Sequence, residues 1–258
     1  MAEKELSPDL IVRDLNTRFI GQRVLYYSTL DSTMNAAQRE AKWGAEAGTI
    51  VITDEQTAGR GRLRRSWLSP KGGLAFSIIL RPNIDYLPYM IMLSALAVSQ
   101  SIQEITGLKT QIKWPNDVLV KEKKVAGILI ENDIRQNILK YTIIGIGINV
   151  NLHIPDYAEI ASIATSLSDE TGKEVSRLEI LRQVLIETER LYLLLPRNDI
   201  IQEKWKERLV TLGQKVQVNL GDRICYGVAE SVARDGSLLL RQSDGSTLRI
   251  SVGDVSVY

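Results

Sequence analysis

Gly59-Arg60-Gly61-Arg62-Leu63-Arg64-Arg65-Ser66-Trp67 carries too much charge to be core, and its reading decides how the chain around it is arranged. Glycines at alternate positions let the backbone take φ > 0 and come close to a ligand. The four arginines supply forked donors that match phosphate and carboxylate oxygens. An anion is the natural guest. The bland alternative is a solvated basic run, since blocks of charge are usually just exposed, so the neighbours must decide. Upstream, Thr49-Ile50-Val51-Ile52-Thr53 reads as a strand that leads straight into the arginines, and Leu74 to Leu80 returns as another. The basic stretch therefore sits at a strand end.

Working outward toward the N-terminus, Val24 to Tyr27 reads as a strand. Asp31-Ser32-Thr33 then caps a helix that Gly44 ends, and Ser7-Pro8 opens a short helix to about Leu15. Toward the C-terminus, Tyr89 to Ile105 is a long apolar helix closed by Gly107, followed by a strand, Gln111 to Trp114, that Pro115 stops. Val118 to Val120 and Val125 to Glu131 read as a hairpin across the charged turn Lys121 to Lys124, and Lys140 to Ile148 is a further strand. Helices are expected over Ser176 to Leu195 and from Asp199 to about Leu209. From Gly213 the pattern changes to short alternating strands with turns at Gly221-Asp222, Asp235-Gly236 and Asp244-Gly245. The expected fold class is α+β: a mixed β-sheet with flanking helices over residues 1–210, of which 1–22 form a helical extension, and a small β barrel over 211–258.

Composition removes several function classes. The chain has 258 residues, 44% of them hydrophobic, enough to bury a sizeable core. Lys and Arg total 32 against 31 Asp and Glu, so a net charge of +1 gives no field to hold a polyanion along the whole surface. With one cysteine, Cys225, and one histidine, His153, there is no internal disulfide and no Cys/His zinc site. Met1 to Glu5 is charged with both signs, and no run approaches the ~18 apolar residues of a membrane span. The expected location is a reducing compartment, the cytoplasm, without membrane or nucleic-acid partners.

No Gly-x4-Gly-Lys-Ser/Thr occurs, and Gly145-Ile146-Gly147 lacks the third glycine of a dinucleotide fingerprint. No partner can be named for His153, which reads as a surface or packing residue, and Cys225 reads as buried and inert. What remains is a set of polar residues at strand ends: Ser32-Thr33, Gln56, the arginine stretch, Lys113-Trp114-Pro115-Asn116-Asp117, Lys124 and Asn149. Phosphoryl transfer needs that mix. Arginines hold phosphates, a carboxylate such as Asp117 can hold Mg²⁺ with its waters, and a lysine can neutralise charge that develops at phosphorus. Close spacing of like charges and two glycines also predict that the segment from Thr57 to Ser66 is mobile until a ligand orders it.

At these residues the chain resembles the biotin protein ligases. The resemblance rests on Asp31-Ser32-Thr33, on Gly59 to Arg62 with Arg65 and Trp67, on Lys113 to Asp117, on Lys124-Val125-Ala126-Gly127-Ile128-Leu129-Ile130-Glu131, and on Gly145 to Asn149. It covers roughly Tyr26 to Tyr258. It implies a class II synthetase-like catalytic domain, an SH3-like C-terminal barrel, and a ligase without the N-terminal repressor domain of bifunctional members. It also implies MgATP-dependent formation of biotinyl-5′-AMP, then transfer of biotin to a lysine of a biotin carboxyl carrier protein domain, by a homodimer. By the same resemblance, biotin contacts fall to Ser32, Thr33, Met34, Gln56, Gly59, Arg60, Gly61, Arg62, Lys124, Gly127 and Gly147. ATP contacts fall to Arg60, Arg62, Arg65, Trp67, Lys113, Asn116, Asp117, Lys124 and Asn149. Lys124, Arg62 and Asp117 are the catalytic set, with Asp117 toward Mg²⁺. Many members have a glycine pair where this chain has Leu63-Arg64. Two rival readings are a lipoate or octanoate ligase or transferase, whose ligand would leave the polar Ser32, Thr33 and Gln56 unmatched at about 1–3 kcal/mol each, and a nucleic-acid-binding regulator, against which the near-zero net charge argues.

Overall fold

Strands buried on both faces read as nearly continuous apolar runs, and the runs flanking the arginine stretch are of that kind. The main sheet holds β1 (Val24–Leu30), β2 (Ile50–Gln56), β3 (Leu74–Leu80), β4 (Thr110–Lys113), β5 (Asp117–Val120), β6 (Lys123–Arg135) and β7 (Ile138–Ile148). Their spatial order is β1-β2-β3-β7-β6-β5-β4, parallel between β1 and β2 and antiparallel elsewhere, so the sheet is mixed. This arrangement comes from a computed structural model that describes residues 6–221 and 223–257. The charged residues 1–5 and Asp222 of the expected Gly221-Asp222 turn lie outside the described residues.

Period-two alternation assigns the faces. Val51, Ile79 and Ile143 point to α2 (Thr33–Lys42), whose Ala36, Ala37 and Ala41 let the helix lie close to the strands. Ile50, Ile52, Ile78, Leu80 and Ile144 point the other way, into the main core beneath α3 (Leu87–Thr106). Gly107 closes α3 in the left-handed conformation, φ 74. α5 (Arg177–Leu193) and α6 (Asn198–Glu207) pack against α3 from outside.

The expected elements are present with shifted ends. The short first helix is α1 (Pro8–Val12), capped by Ser7 as its Pro-containing start predicts. β6 begins at Lys123, so Lys124 belongs to a strand rather than to the charged turn. The turn itself is made by Lys121 and Glu122, at φ 47 and 69. α4 (Leu167–Thr171) was not legible, being a single capped turn without periodicity. Nor was the anchoring of residues 18–20: the buried Glu189 carboxylate of α5 accepts from the backbone N–H groups of Arg18, Phe19 and Ile20 at 2.6, 2.9 and 3.0 Å.

The C-terminal strands β8 (Lys215–Asn219), β9 (Ile224–Val232), β10 (Leu238–Arg241), β11 (Thr247–Ile250) and β12 (Asp254–Val257) form a separate antiparallel sheet in the order β11-β10-β9-β8-β12. Its inward residues Val216, Val218, Leu238, Leu240 and Val255 belong to the same apolar cluster as the core of the main sheet. No helix among the described residues is long and apolar enough to cross a membrane.

Candidate active site

The start of α2, the end of β2 and the glycine-rich parts of β6 and β7 meet beneath the arginine stretch. They enclose an inner pocket lined by Ser32, Thr33, Met34, Gln56, Arg60, Gly61, Arg62, Trp67, Asn116, Gly127, Gly145 and Gly147, with Ile128, Leu129 and Ile146. One end of it is a polar relay. Ser77 donates to Thr33 Oγ1 at 2.9 Å, and Thr33 donates from its amide and hydroxyl to Gln56 Oε1 at 2.9 and 3.2 Å. With its oxygen held in this way, Gln56 presents its amide donors. Ser32 occupies the N-cap of α2 yet makes no capping bond, and its fully buried hydroxyl has no partner. A buried hydroxyl left unmatched costs about 1–3 kcal/mol, which a ligand acceptor or donor at this point would recover.

The arginine stretch is a small hairpin. Trp67 N–H donates to Gly59 O at 2.9 Å, Arg60 bridges Ser66, and Gly61 N–H donates to Arg65 O at 2.7 Å around a tight turn at Arg62–Arg64. Leu63 and Arg64 sit there at φ 52 and 59, the left-handed region that glycine favours and other residues enter at a cost. Three of the arginines find partners outside the hairpin. Arg60 Nη2 meets Glu131 Oε2 at 2.8 Å, and Gln38 Nε2 donates to the same oxygen at 2.6 Å. Arg62 Nη1 donates to Asn116 Oδ1 at 2.8 Å, and Asn116 is fixed in turn by its own bond to Ile128 O. Arg65 turns outward to Asp254 of β12, at 2.5 Å. These pairings offset the mutual repulsion that the sequence implies. Arg64 has none among the described residues.

Burial holds the Arg62 guanidinium below its ordinary range, with Asp117 and Asp254 pulling it back up and Arg65 opposing them. Such a cation stands to gain from an arriving anion. Arg60 Nε is also buried without a partner.

Trp67 closes the pocket. Its ring lies on Gly127 and Gly147, where an added Cβ would come within 3.1 and 2.4 Å of ring atoms. At Gly147 only glycine admits the indole, while at Gly127 a Cβ would require the ring or the Lys124 stem to give by a few tenths of an ångström. Lys124 Nζ stands 5.3 Å from the centre of the Trp67 ring and 2.8 Å from Asp117 Oδ1. The space left beneath the hairpin is about 40 Å³, room for about three waters. A second, outer groove of about 910 Å³ runs along the far side of the hairpin.

Among the residues singled out from sequence, Lys124 and Asp117 form an ion pair beside the Trp67 ring, and neither lines the inner pocket. Gly59 lines the outer groove, and Arg65 faces the C-terminal sheet. Lys113 ends β4 outside both spaces. Asn149 is buried, with its amide donating to Thr165 O at 3.0 Å. Cys225 is buried in β9, and His153, for which the sequence named no partner, is an exposed residue that meets Asp169 at 3.2 Å. Sequence reasoning missed Gln38, Glu131 and Asp254 as anchors of the arginines; the one signal available was Glu131, a lone carboxylate closing an apolar run. No group of three or more His, Cys, Asp or Glu among the described residues could cage a metal. A Mg²⁺ brought by a nucleotide needs no such cage, because phosphates and waters supply most of its ligands.

Residues 25–149, which contain every residue of the inner pocket, match the biotin/lipoate A/B protein ligase family, and 211–258 match the biotin protein ligase C terminal domain. The bifunctional ligase/repressor BirA of Bacillus subtilis is 37% identical, over 93% of this chain and 76% of that protein. The biotin–[acetyl-CoA-carboxylase] ligase of Mycobacterium tuberculosis is 30% identical over 97% of this chain and 96% of its own. The solved structure of the biotin protein ligase from Aquifex aeolicus, in complex with biotin and ATP, superposes with a TM-score of 0.78 at 34% identity and covers 92% of this chain and 99% of that one.

Proposed function

This chain belongs to the biotin protein ligase family, and on that premise we propose how its two pocket ends divide the work. The enzyme activates biotin with ATP and passes it to a protein lysine. A biotin carboxylate oxygen attacks the α-phosphorus of ATP and pyrophosphate leaves; an acceptor amine then attacks the acyl carbon of the mixed anhydride, AMP leaves, and the amine gives up a proton as the amide forms. The observation that carries the assignment of roles is the polarity of one small pocket: spare hydrogen-bonding groups from Ser32 and Gln56, and the half-buried guanidinium of Arg62.

Ser32, Thr33 and Gln56 take the ureido ring, whose paired donors and acceptors they can match, and Met34 packs beside it, its sulfur on Gly145. Gly127 and Gly147 form the floor, and the hairpin with Arg60, Gly61 and Arg62 is the lid. Lys124 stabilises charge at the reacting phosphorus, and Arg62 gathers the carboxylate and phosphate oxygens. Asp117, which acts on Arg62 and holds Lys124 in position, is the carboxylate we assign to a Mg²⁺ carried by ATP. Trp67 and Asn116 complete the nucleotide end in this reading, and Arg65, Lys113 and Asn149, which lie outside the inner pocket, are assigned to the parts of ATP that extend beyond it. Trp67 must move for a bicyclic ligand to enter the small inner space, so lid motion is part of the cycle.

The same reading takes a biotin carboxyl carrier protein domain as acceptor, a homodimer as the assembly and the cytoplasm as the location, the last supported by a single buried thiol. It divides the chain into a catalytic unit, 1–210, and a C-terminal unit, 211–258. Pyrophosphate exchange into ATP, run with biotin, lipoate and octanoate in parallel, tests the assignment. Exchange with biotin alone is the expected result, and exchange with lipoate but not biotin would overturn it.

A further inference from the structure

We infer that Arg64 reads a carboxylate on the surface of the acceptor protein, and so sets which lysine-bearing domain the enzyme modifies. The inference rests on the ligase reading above. It starts from an imbalance of charge in the outer groove. Arg60, Arg62 and Arg65 are held by Glu131, Asn116 and Asp254. The groove's own carboxylates are also taken, Glu131 by Arg60 and Asp235 by Arg249 at 2.7 Å. Arg64 alone lines the groove exposed and without a partner among the described residues.

Its backbone keeps it there. At φ 59, one step after Leu63 at φ 52, Arg64 occupies the outer tip of the hairpin turn, away from the inner pocket. Two successive non-glycine residues in the left-handed region are strained, and glycine would remove that strain. What glycine cannot supply is the pair of side chains, an apolar Leu63 and a free cation, both facing outward at the groove.

The groove is also the approach to the chemistry. It shares Arg60, Gly61, Arg62 and Leu129 with the inner pocket, so an acceptor lysine that reaches the activated carboxyl by way of the groove passes the tip where Arg64 stands. A guanidinium in that place attracts carboxylates and repels cations, so it favours acceptors with an acidic residue beside the target lysine.

The test varies a biotin carboxyl carrier domain as substrate for the full chain and its Arg64→Glu, Arg64→Gly and Arg64→Lys variants. Biotin-dependent pyrophosphate exchange and trapping of the adenylate by hydroxylamine run in parallel. Arg64→Glu should raise the carrier KM about tenfold at low salt, with the gap closing in 0.5 M NaCl, as expected of a rim charge. Arg64→Gly should show a smaller rise and Arg64→Lys almost none. In Arg64→Glu and Arg64→Lys, which keep a side chain at the left-handed turn, exchange and hydroxylamine trapping should stay within about twofold of the parent, because neither presents a protein surface. Equal carrier KM values in all variants would overturn the inference, as would a fall in hydroxylamine trapping that parallels the carrier reaction. Absence of biotin-dependent exchange in the parent chain is a separate result: it removes the ligase reading, and this inference with it.

Discussion

Lys124 joins three neighbours of different kinds: the Asp117 carboxylate at 2.8 Å, the Trp67 ring at 5.3 Å, and the backbone of Gly127, whose added Cβ would lie 3.2 Å from Nζ. A lysine so placed is fixed before the substrate arrives, which is what stabilisation of a developing charge requires. Lys124→Ala should lower the rate of biotinyl-AMP formation by about 10²–10³-fold, the usual scale for losing one preorganised donor, while biotin binding by calorimetry falls much less. Equal losses in both would give Lys124 a binding role instead. Arg62 has the opposite character, a half-buried cation whose charge is disfavoured by desolvation until an anion joins it. Arg62→Gly should therefore still form the adenylate but release it, and the readout is biotinylation of bystander lysines in the absence of a carrier; an adenylate held as long as by the parent chain would count against the lid. The residue types singled out from sequence are those that phosphate and ureido chemistry would demand, and the fold brings Ser32, Thr33, Gln56, Arg60 and Arg62 to one pocket. It could not reveal that Arg65 turns to Asp254, since that partner lies on another sheet and nothing in local spacing points to it.

At the scale of elements, the strands and helices were legible from periodicity and caps, and Leu74–Leu80 appears with its expected ends. Elements whose signal is tertiary were not. β6 extends to Arg135 because β7 pairs with it along its length, beyond the point where β5 stops. The hairpin from Gly59 to Trp67 is a second case, since its cross-bonds need Arg60, Arg62 and Arg65 to find Glu131, Asn116 and Asp254. Those exposed or half-exposed contacts are individually worth about 0–1 kcal/mol, and the left-handed turn works against them. Closure is therefore shallow in free energy, and substrates that must enter beneath Trp67 can open it. Trypsin should cut the free protein first after Arg64, which is exposed and without a partner among the described residues, and biotin with ATP should slow that cut at least tenfold. Equal cleavage rates with and without substrates would show that the hairpin does not close over them.

Across the whole molecule, the C-terminal sheet acts as a buttress for the site. Trp114, next to the Pro115-Asn116-Asp117 corner, donates its indole N–H to Gly236 O at 2.8 Å and its backbone N–H to Thr211 Oγ1 at 2.9 Å. Gly236, at φ 80, brings its turn against Met92 of α3 and Trp205 of α6. Asp254 adds the tie to Arg65. Because Trp114, Met92, Trp205 and the inward residues of both sheets share one apolar cluster, neither part can separate without exposing it. The chain should unfold in a single calorimetric transition, and two resolved transitions would show that 211–258 folds as an independent unit. Asp254→Ala separates the two ways the C-terminal sheet could matter. The Arg65–Asp254 pair is partly exposed and contributes at most about 1 kcal/mol, so Tm should move by only roughly 2–4 °C in a chain of this size. If the sheet also steadies the lid, trypsin cleavage at Arg64 should speed up and the KM for ATP should rise several-fold while Tm barely changes. A fall in Tm with unchanged cleavage and KM would confine the C-terminal sheet to holding the core together.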